Sequence, residues 1–297
     1  MTPHRPHPSH AQSGFTLIEL IMVIVILGVI GGTVAVFMKG PIDAYFSSGR
    51  RAALTDVADT TVRRMARDIR RALPNSVRTS GSSPNSCLEF IPTKTGGRYR
   101  VQDKLAGDSL DFSTTDTTFN MLGSTSTLPD QQILKNDLIV VYNLGIVGAD
   151  AYDVTNASGG KNWTTVSAAP TPAPPSYSPA ETTIPINAFK FPWPSGNNRF
   201  QVVSGSEQMV SYVCSGTNLL RVVSTALTAT ASCPTATAGA ATVSVIASNV
   251  DCSGTSFTYS GPDLQRNALI TMVLGITDST GTEAVTLQHE VHVDNTP

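Results

Sequence analysis

Charged and aromatic residues are scarce in this sequence. Of its 297 residues, 14% are charged and 6% are aromatic, and the formal net charge is −2. A nucleic-acid-binding surface needs a concentrated basic face, and this charge balance does not supply one. Abundant Thr, Ser, Ala and Gly with few aromatics are more typical of extracytoplasmic β-rich proteins than of cytosolic enzymes. The length suffices for one large or two ordinary domains.

The sequence also lacks the common catalytic motifs. It contains no GxSxG, HExxH, P-loop or dinucleotide-binding fingerprint. A nucleophile with an oriented base is likewise not visible. We therefore expect no enzymatic activity and no cofactor.

Histidine is rare, and three of the five lie within the first ten residues. The other two lie in VTLQHEVHVDN, where a strand would place Glu290, His292 and Asp294 on one face and His289 on the other. Three potential ligands at alternate positions suggest a metal site, but a straight strand spreads them along its length. We favour the polar outer face of a terminal strand and predict no metal site.

The four cysteines are Cys87, Cys214, Cys233 and Cys252, and none belongs to a CxxC pair or has a histidine at zinc-ligand spacing. An even number of dispersed cysteines favours two disulfides in an oxidising compartment over free thiols in a cytosolic protein. Four cysteines allow three connectivities. We expect Cys214–Cys233 as the local pair and Cys87–Cys252 as the distant one.

One long apolar run lies near the N-terminus, from Phe15 to Met38, and Glu19 is its single charged residue. The run is long enough to cross a bilayer as a helix, and Arg5 before it favours a cytoplasmic N-terminus. A cleaved signal peptide would have a shorter apolar core and a small-residue site after it, whereas Gly14 precedes the run. A plain anchor leaves Glu19 unexplained, because a charge at membrane depth is costly.

The stretch Gly14-Phe15-Thr16-Leu17-Ile18-Glu19-Leu20 resembles the class III signal of type IV prepilins and type II secretion pseudopilins. The resemblance implies that a prepilin peptidase cuts between Gly14 and Phe15 and methylates the new amino group of Phe15. Glu19 then becomes the fifth residue of the mature chain, the position at which the family carries its glutamate. The N-terminal ammonium of one subunit can meet the Glu19 of its neighbour, and a buried charge pair of this kind fixes register.

A second helical segment follows Lys39-Gly40-Pro41, where we expect a kink or a loosened turn. Apolar residues beyond it recur at spacings of three and four, which predicts one apolar stripe along an amphipathic helix. These positions are Leu54, Ala58, Val62, Met65, Ile69 and Leu73. Pro74 is expected to close this helix.

A basic cluster lies on the same segment: Arg63, Arg64, Arg67, Arg70 and Arg71. We favour a solvated helix face with Asp59 and Asp68 as local partners. Binding of phospholipid or DNA is the alternative, and some of these arginines could contact a neighbouring subunit.

The remaining sequence predicts short strands, and together with the helix this indicates an α+β protein with an antiparallel sheet or sheets. The predicted strands cover 87–93, 98–102, 109–113, 137–145, 199–205, 207–214, 219–224, 241–247, 256–260, 269–276 and 283–293. The proline-dense stretch 163–198 is expected to be a long solvated loop with polyproline-like character.

Four segments result from these patterns and from the resemblance. They are a leader peptide (1–14), a transmembrane helix (15–38), a periplasmic amphipathic helix (39–74) and a β-rich head (75–297). This is the arrangement of type IV pilin-like proteins, in which one long N-terminal helix packs on the head.

Downstream segments narrow the resemblance. The stretches at 63–78, 87–93 and 212–216 and the ending TLQHEVHVDNTP resemble the O-type minor pilins of the mannose-sensitive haemagglutinin (MSHA) pilus system, and more distantly the J-type pseudopilins of type II secretion. The resemblance implies a minor pilin that takes part in pilus initiation or tip assembly. Its partners would be other minor and major pilins, the prepilin peptidase and the inner-membrane assembly platform, with no nucleic acid.

The same resemblance implies a location and leaves two further functions open. The chain would be a single-pass protein of the inner membrane with a periplasmic C-terminal domain, and later part of a pilus at the cell surface. The alternatives are a type II secretion pseudopilin and a tip adhesin that binds a surface ligand.

Overall fold

The structure is a computed structural model that describes residues 14–102, 108–173, 180–234, 242–260 and 267–297. In these residues one helix, α1 (Leu17–Ile69), precedes fifteen strands. The strands are β1 (Arg78–Ser80), β2 (Cys87–Phe90), β3 (Thr95–Arg98), β4 (Asp116–Leu122), β5 (Leu138–Val140), β6 (Trp163–Thr165), β7 (Thr171–Pro172), β8 (Glu181–Phe189), β9 (Arg199–Val203), β10 (Met209–Ser215), β11 (Asn218–Ser224), β12 (Thr242–Ser248), β13 (Val250–Ser260), β14 (Asn267–Thr277) and β15 (Ala284–Asp294). The α+β class is confirmed.

The described strands pair antiparallel in four sheets. Their orders are β1-β2-β10-β11-β12, β13-β14-β15, β3-β9-β5-β6 and β4-β8-β7. The hairpin of β10 and β11 turns through two residues, because Ser215 pairs directly with Asn218. Gly216 adopts a φ of 62° in this turn, a value that glycine reaches without steric cost.

The chain divides into two units, one up to Ala52 and one from Ala53 onward. In the first unit every described residue from Gly14 to Phe46 is exposed. Phe15, Leu27 and Phe37 are 84%, 62% and 79% exposed. This part of α1 therefore presents apolar side chains on all of its faces.

In the second unit α1 buries one stripe, as its sequence predicts, except that Leu73 lies beyond the helix end and packs in a different hydrophobic cluster. Ala58, Val62, Met65 and Ile69 are all buried, and Leu54 packs beside them half-buried. The stripe faces a core shared by the five-stranded sheet and the β13-β14-β15 sheet. Residues spaced by three and four lie on one side of a helix because the helix has 3.6 residues per turn.

The end of the second predicted helical segment needs correction. α1 runs through Pro41 as one helix, and the kink or loosened turn expected there stays a prediction. It ends at Ile69 rather than beside Pro74. The reason is that the amides of Arg71 and Ala72 bond three residues back, and the amide of Leu73 donates to the Ile91 carbonyl. The hydrogen bond to Ile91 thus replaces helical bonding at Leu73, one residue before Pro74.

Most predicted strands are confirmed, and three predictions are wrong. Of the predicted strand at 98–102 only Arg98 lies in a strand, as the last residue of β3, and residues 109–113 contain none. The long loop expected over 163–198 instead contains β6, β7 and β8, although residues 174–179 lie outside the described part. Strand β8 forms because alternate residues such as Ile184 and Ile186 bury their side chains beneath the sheet.

Two disulfides form, but the predicted pairing is wrong. The bonds are Cys87–Cys233 and Cys214–Cys252. Cys87 pairs in register with Val213, so the next residue, Cys214, points to the opposite face of the sheet. Cys214 therefore meets Cys252 in the core beside α1, while Cys87 meets Cys233 on the other face. The prediction paired the cysteines by their distance in the sequence. It failed because the face of the sheet on which each cysteine lies determines its partner.

A buried ion pair and several hydrogen bonds fix the segment at 228–233 beside the Cys87–Cys233 disulfide. Arg78 donates to the carbonyls of Thr228 and Ala229 at 2.9 and 3.0 Å, and it pairs with Glu89 at 3.4 Å. Glu89 is fully buried and accepts the amide of Ser232 at 2.7 Å. Burial raises the pKa of Glu89, and the charge of Arg78 opposes that rise. The segment is thus fixed by hydrogen bonds as well as by Cys233.

The stripe on α1 should carry much of the head's stability. We expect Ile69→Ala to lower the free energy of unfolding by about 2–5 kcal/mol, because it leaves a cavity in a close-packed core. Thr60→Ala, on the exposed side of the same helix, should change it by less than about 0.5 kcal/mol. Denaturant unfolding of the purified full-length chain in detergent measures both; equal effects would mean that this stripe is not part of the core.

Candidate functional site

The start of α1 is closed by reciprocal hydrogen bonds between Thr16 and Glu19. The Thr16 amide and hydroxyl donate to Glu19 Oε2, each at 3.1 Å, and the Glu19 amide donates to Thr16 Oγ1 at 3.3 Å. Thr16 is the residue before the helix, and Glu19 is its third residue. This is a capping box, which satisfies two amides that a helix start otherwise leaves without partners.

The capping box places the carboxylate of Glu19 where its charge is favourable. The positive end of the helix dipole lies at the first turn, and an anion there is stabilised. Among the described residues both bonds from Thr16 end on Oε2, and Oε1 has no partner. Within the described residues Oε1 can therefore accept a further hydrogen bond.

An apolar surface surrounds this cap. Leu17, Ile18 and Leu20 are 75%, 66% and 57% exposed. In the described part of the chain, α1 is the one helix long and apolar enough to cross a membrane, with a mean hydropathy of 2.8 over its most apolar window. A polar cap at the tip of an exposed apolar helix suits insertion into a bilayer or a bundle of similar helices.

The arginine cluster is exposed, as predicted, on α1 and on the turn that follows it. Arg63 pairs with Asp59 at 2.6 Å, which confirms that local partner. Asp68 is not a partner of these arginines, because it accepts Arg221 at 2.9 Å and the hydroxyl of Tyr212 at 2.8 Å. Arg221 bonds Glu207 as well. Asp68 thus ties the end of α1 to β10 and β11.

The predicted polar face of the last strand is confirmed. Glu290, His292 and Asp294 are exposed at alternate positions of β15, while His289 is half-buried on the other side. In the residues that the structure describes, no group of three His, Cys, Asp or Glu side chains is close enough to hold a metal ion.

A cavity of about 380 Å³ lies on the head, with Asp68, Lys94, Glu207 and Arg221 among its lining residues. Lys94 pairs with Asp137 at 3.0 Å, and Arg221 pairs with Asp68 and Glu207. These charges neutralise one another and so stabilise the walls of the cavity. They do not form a nucleophile with an oriented base.

Two features escaped the sequence analysis. The cap partner Thr16 had a readable signal, because Thr-x-x-Glu before an apolar run is a capping-box pattern. Trp193 had none. It is 57% exposed, its indole N–H donates to the Gly148 carbonyl at 3.1 Å, and Val147 beside that carbonyl is 86% exposed.

Comparison with known proteins identifies the N-terminal segment. Residues 9–35 match the family described as "Prokaryotic N-terminal methylation motif". No curated protein and no solved structure matches the chain. The motif supports a type IV pilin or pseudopilin, and together with the apolar helix it fits a membrane-anchored single-pass protein. It points to a structural pilin-type protein rather than to a known enzyme.

The capping box predicts how substitutions affect the helix start. Thr16→Ala removes the acceptor of the Glu19 amide, so hydrogen exchange of that amide should accelerate about fivefold, as expected for a lost cap worth about 1 kcal/mol. Thr16→Ser and Glu19→Gln keep both capping groups and should exchange like the wild-type chain. Exchange of the full-length chain in detergent, read on the peptide covering 14–24, measures this. Identical rates in Thr16→Ala would contradict the cap.

Proposed function

We propose that this chain is a minor pilin of an MSHA-like type IV pilus, anchored in the inner membrane before assembly and acting in pilus initiation or at the tip. One observation carries the proposal. A capped helix that is exposed and largely apolar from Gly14 to Phe46 begins within a prokaryotic methylation motif. A filament of packed helices and a membrane are the two environments that cover such a surface.

The resemblance of the N-terminal stretch to prepilin signals implies a role for each residue at its start. The prepilin peptidase cuts after Gly14, and Phe15 receives the methyl group. Thr16 and Glu19 both lie beyond the cut, so the capping box survives processing. In the filament the ammonium of one subunit's Phe15 meets Oε1 of Glu19 in the next, the oxygen that the capping box leaves without a bond. One carboxylate thereby serves the helix and the contact between subunits.

The placement in the MSHA system and the initiating role rest on the sequence of the head. The stretches at 63–78, 87–93 and 212–216 and the C-terminal ending carry the resemblance to O-type minor pilins. They cover the end of α1, β2, the end of β10 and most of β15. These elements contribute side chains to the core against which α1 packs. The resemblance therefore concerns the packing of the head on its helix. The other pilins, the peptidase and the inner-membrane platform are the partners of this function.

One observation favours a tip adhesin as a second candidate. Trp193 is held by its bond to Gly148 and presents its ring beside Val147. Exposed tryptophans held in place are common anchors in binding surfaces. Trp193→Ala should leave the number of pili unchanged and lower adhesion of the bacteria to host cells or glycans if this candidate is correct. Unchanged adhesion in that variant would remove the support that Trp193 gives.

Processing and assembly respond to different substitutions. Gly14→Val should block cleavage, because a branched side chain replaces the small residue at the cut site, and the chain should keep its precursor mass. Glu19→Ala should be cleaved but incorporated at a level at least tenfold lower, since the neighbour's buried ammonium loses its counter-charge. Gel mobility and immunoblots of sheared pili measure the two steps.

The matched control is Glu19→Gln, which keeps the capping hydrogen bonds and removes the charge. It should be incorporated as poorly as Glu19→Ala. Normal incorporation of Glu19→Gln would show that the cap, rather than the charge, is what assembly requires. A strain without the peptidase that still yields the shorter chain would contradict the processing step.

A further inference from the structure

Two arginines lie directly opposite each other on the neighbouring strands β3 and β9. Arg98 is the last residue of β3 and Arg199 is the first residue of β9, and the two pair in register. Residues that face each other on an antiparallel pair lie on the same side of the sheet and close together. Both arginines are exposed. Two like charges in this arrangement repel each other and weaken the pairing of their strands.

No carboxylate offsets this repulsion within the described residues. The ion pairs found there involve other cations, and neither Arg98 nor Arg199 takes part in one. Gln201 lies two residues along β9 on the same side as Arg199, and its side chain likewise bonds to no described residue. The described part of the chain therefore leaves two positive charges and an amide side by side without partners.

A groove of about 400 Å³, the β3–β9 groove, lies beside these side chains. Its lining includes Gly96, Gly97, Arg98, Arg199 and Gln201. None of its lining residues is acidic. A Cβ at Gly96 would lie 2.8 Å from the carbonyl oxygen of Phe200, which is closer than a Cβ approaches without a shift of the backbone. The volume lies within the range of small-ligand sites, about 300–1,000 Å³. The groove thus combines open space with two cations and no anion.

The number of charges and acceptors favours a phosphate monoester over other anions. At neutral pH a phosphate monoester carries a charge of about −1.5 to −2, which balances two arginines, and it offers three acceptor oxygens. The planar fork of a guanidinium binds two oxygens of a phosphate or a carboxylate at once. A carboxylate has only two oxygens and one charge, so it satisfies a single arginine. A sulfate ester has three oxygens but again only one charge.

We propose that the β3–β9 groove binds a phosphate monoester, with the phosphate between Arg98 and Arg199 and the amide of Gln201 as a further donor. The group that the phosphate esterifies lies in the space that Gly96 leaves open. The bound dianion removes the repulsion between the two arginines, so binding also stabilises the pairing of β3 with β9. This inference goes beyond the proposed function and does not depend on it.

Isothermal titration calorimetry of the purified full-length chain in an uncharged detergent tests the proposal, with glucose 6-phosphate as the probe at neutral pH and low salt. We expect saturable binding that weakens as the salt concentration rises. Glucose should not bind. Glucose 6-sulfate and glucuronate should bind at least about tenfold more weakly, because each carries a single charge. Equal affinity for the three anions would overturn the assignment to a phosphate monoester.

Substitution of the two arginines locates the site. Arg98→Gln/Arg199→Gln should lower the affinity for glucose 6-phosphate at least about tenfold, because both charged forks are lost. The same variant should have a higher midpoint of denaturant unfolding, since the repulsion is gone, so its loss of binding would not reflect misfolding. Gln201→Glu should also weaken binding, because it places a carboxylate beside Arg199.

The matched control is Arg64→Gln/Arg67→Gln, which removes the same two charges from exposed arginines of α1 outside the groove. It should bind glucose 6-phosphate like the wild-type chain. Binding that Arg98→Gln/Arg199→Gln retains would overturn the proposal, and so would an equal loss in the control. An unchanged unfolding midpoint in Arg98→Gln/Arg199→Gln would contradict the repulsion from which the proposal starts.

Two further probes distinguish the sources of the phosphate. They are inorganic phosphate and dihexanoyl phosphatidic acid, a short-chain lipid whose headgroup is a phosphate monoester. Each affinity is taken as the difference between the wild-type chain and Arg98→Gln/Arg199→Gln, which subtracts partition of the lipid into the detergent. Tightest binding of the lipid would assign the site to a lipid headgroup, and tightest binding of glucose 6-phosphate to a phosphorylated sugar. Absence of saturable binding for all three probes would overturn the proposal.

Discussion

An exposed apolar helix start is the constraint on which the rest of this molecule depends. From Gly14 to Phe46 the described residues are all exposed, and most are apolar. Each buried square ångström of such surface is worth about 25 cal/mol, so this part of α1 strongly favours a bilayer or a bundle of helices over water. The polar groups that accompany it must then be satisfied within that environment. Thr16 and Glu19 do so for the first turn.

The second half of α1 packs on the head instead of being exposed on all sides. Its apolar stripe is buried in the head, with Met65 at 1% and Ile69 at 0% exposure, and Asp68 joins the helix end to Arg221. Its opposite face carries charged side chains, Asp56, Arg63 and Arg67 among them, and these stay exposed.

The sequence predicted features that depend on local periodicity and missed those that depend on sheet geometry. The stripe on α1, the β10–β11 hairpin and the alternation of β15 were readable because spacing of three, four or two residues determines them. The disulfide pairing could not be predicted in this way. Val213 pairs with Cys87 on the neighbouring strand, so the side chain of Cys214 points to the other side of the sheet. The helix end at Ile69 was also hidden, because a hydrogen bond from Leu73 to Ile91 decides it. At the candidate site the motif was readable and the exposure of Trp193 was not.

The most direct test of the central claim is the mass of the N-terminal peptide of the chain recovered from sheared pili. The account predicts a mature chain that begins at Phe15 and carries one methyl group on its amino nitrogen. Glu19 is then the fifth residue, beyond the cut and within the capping box. A chain from the same preparation that still carries residues upstream of Phe15, or that is cut inside the apolar run, would contradict the account.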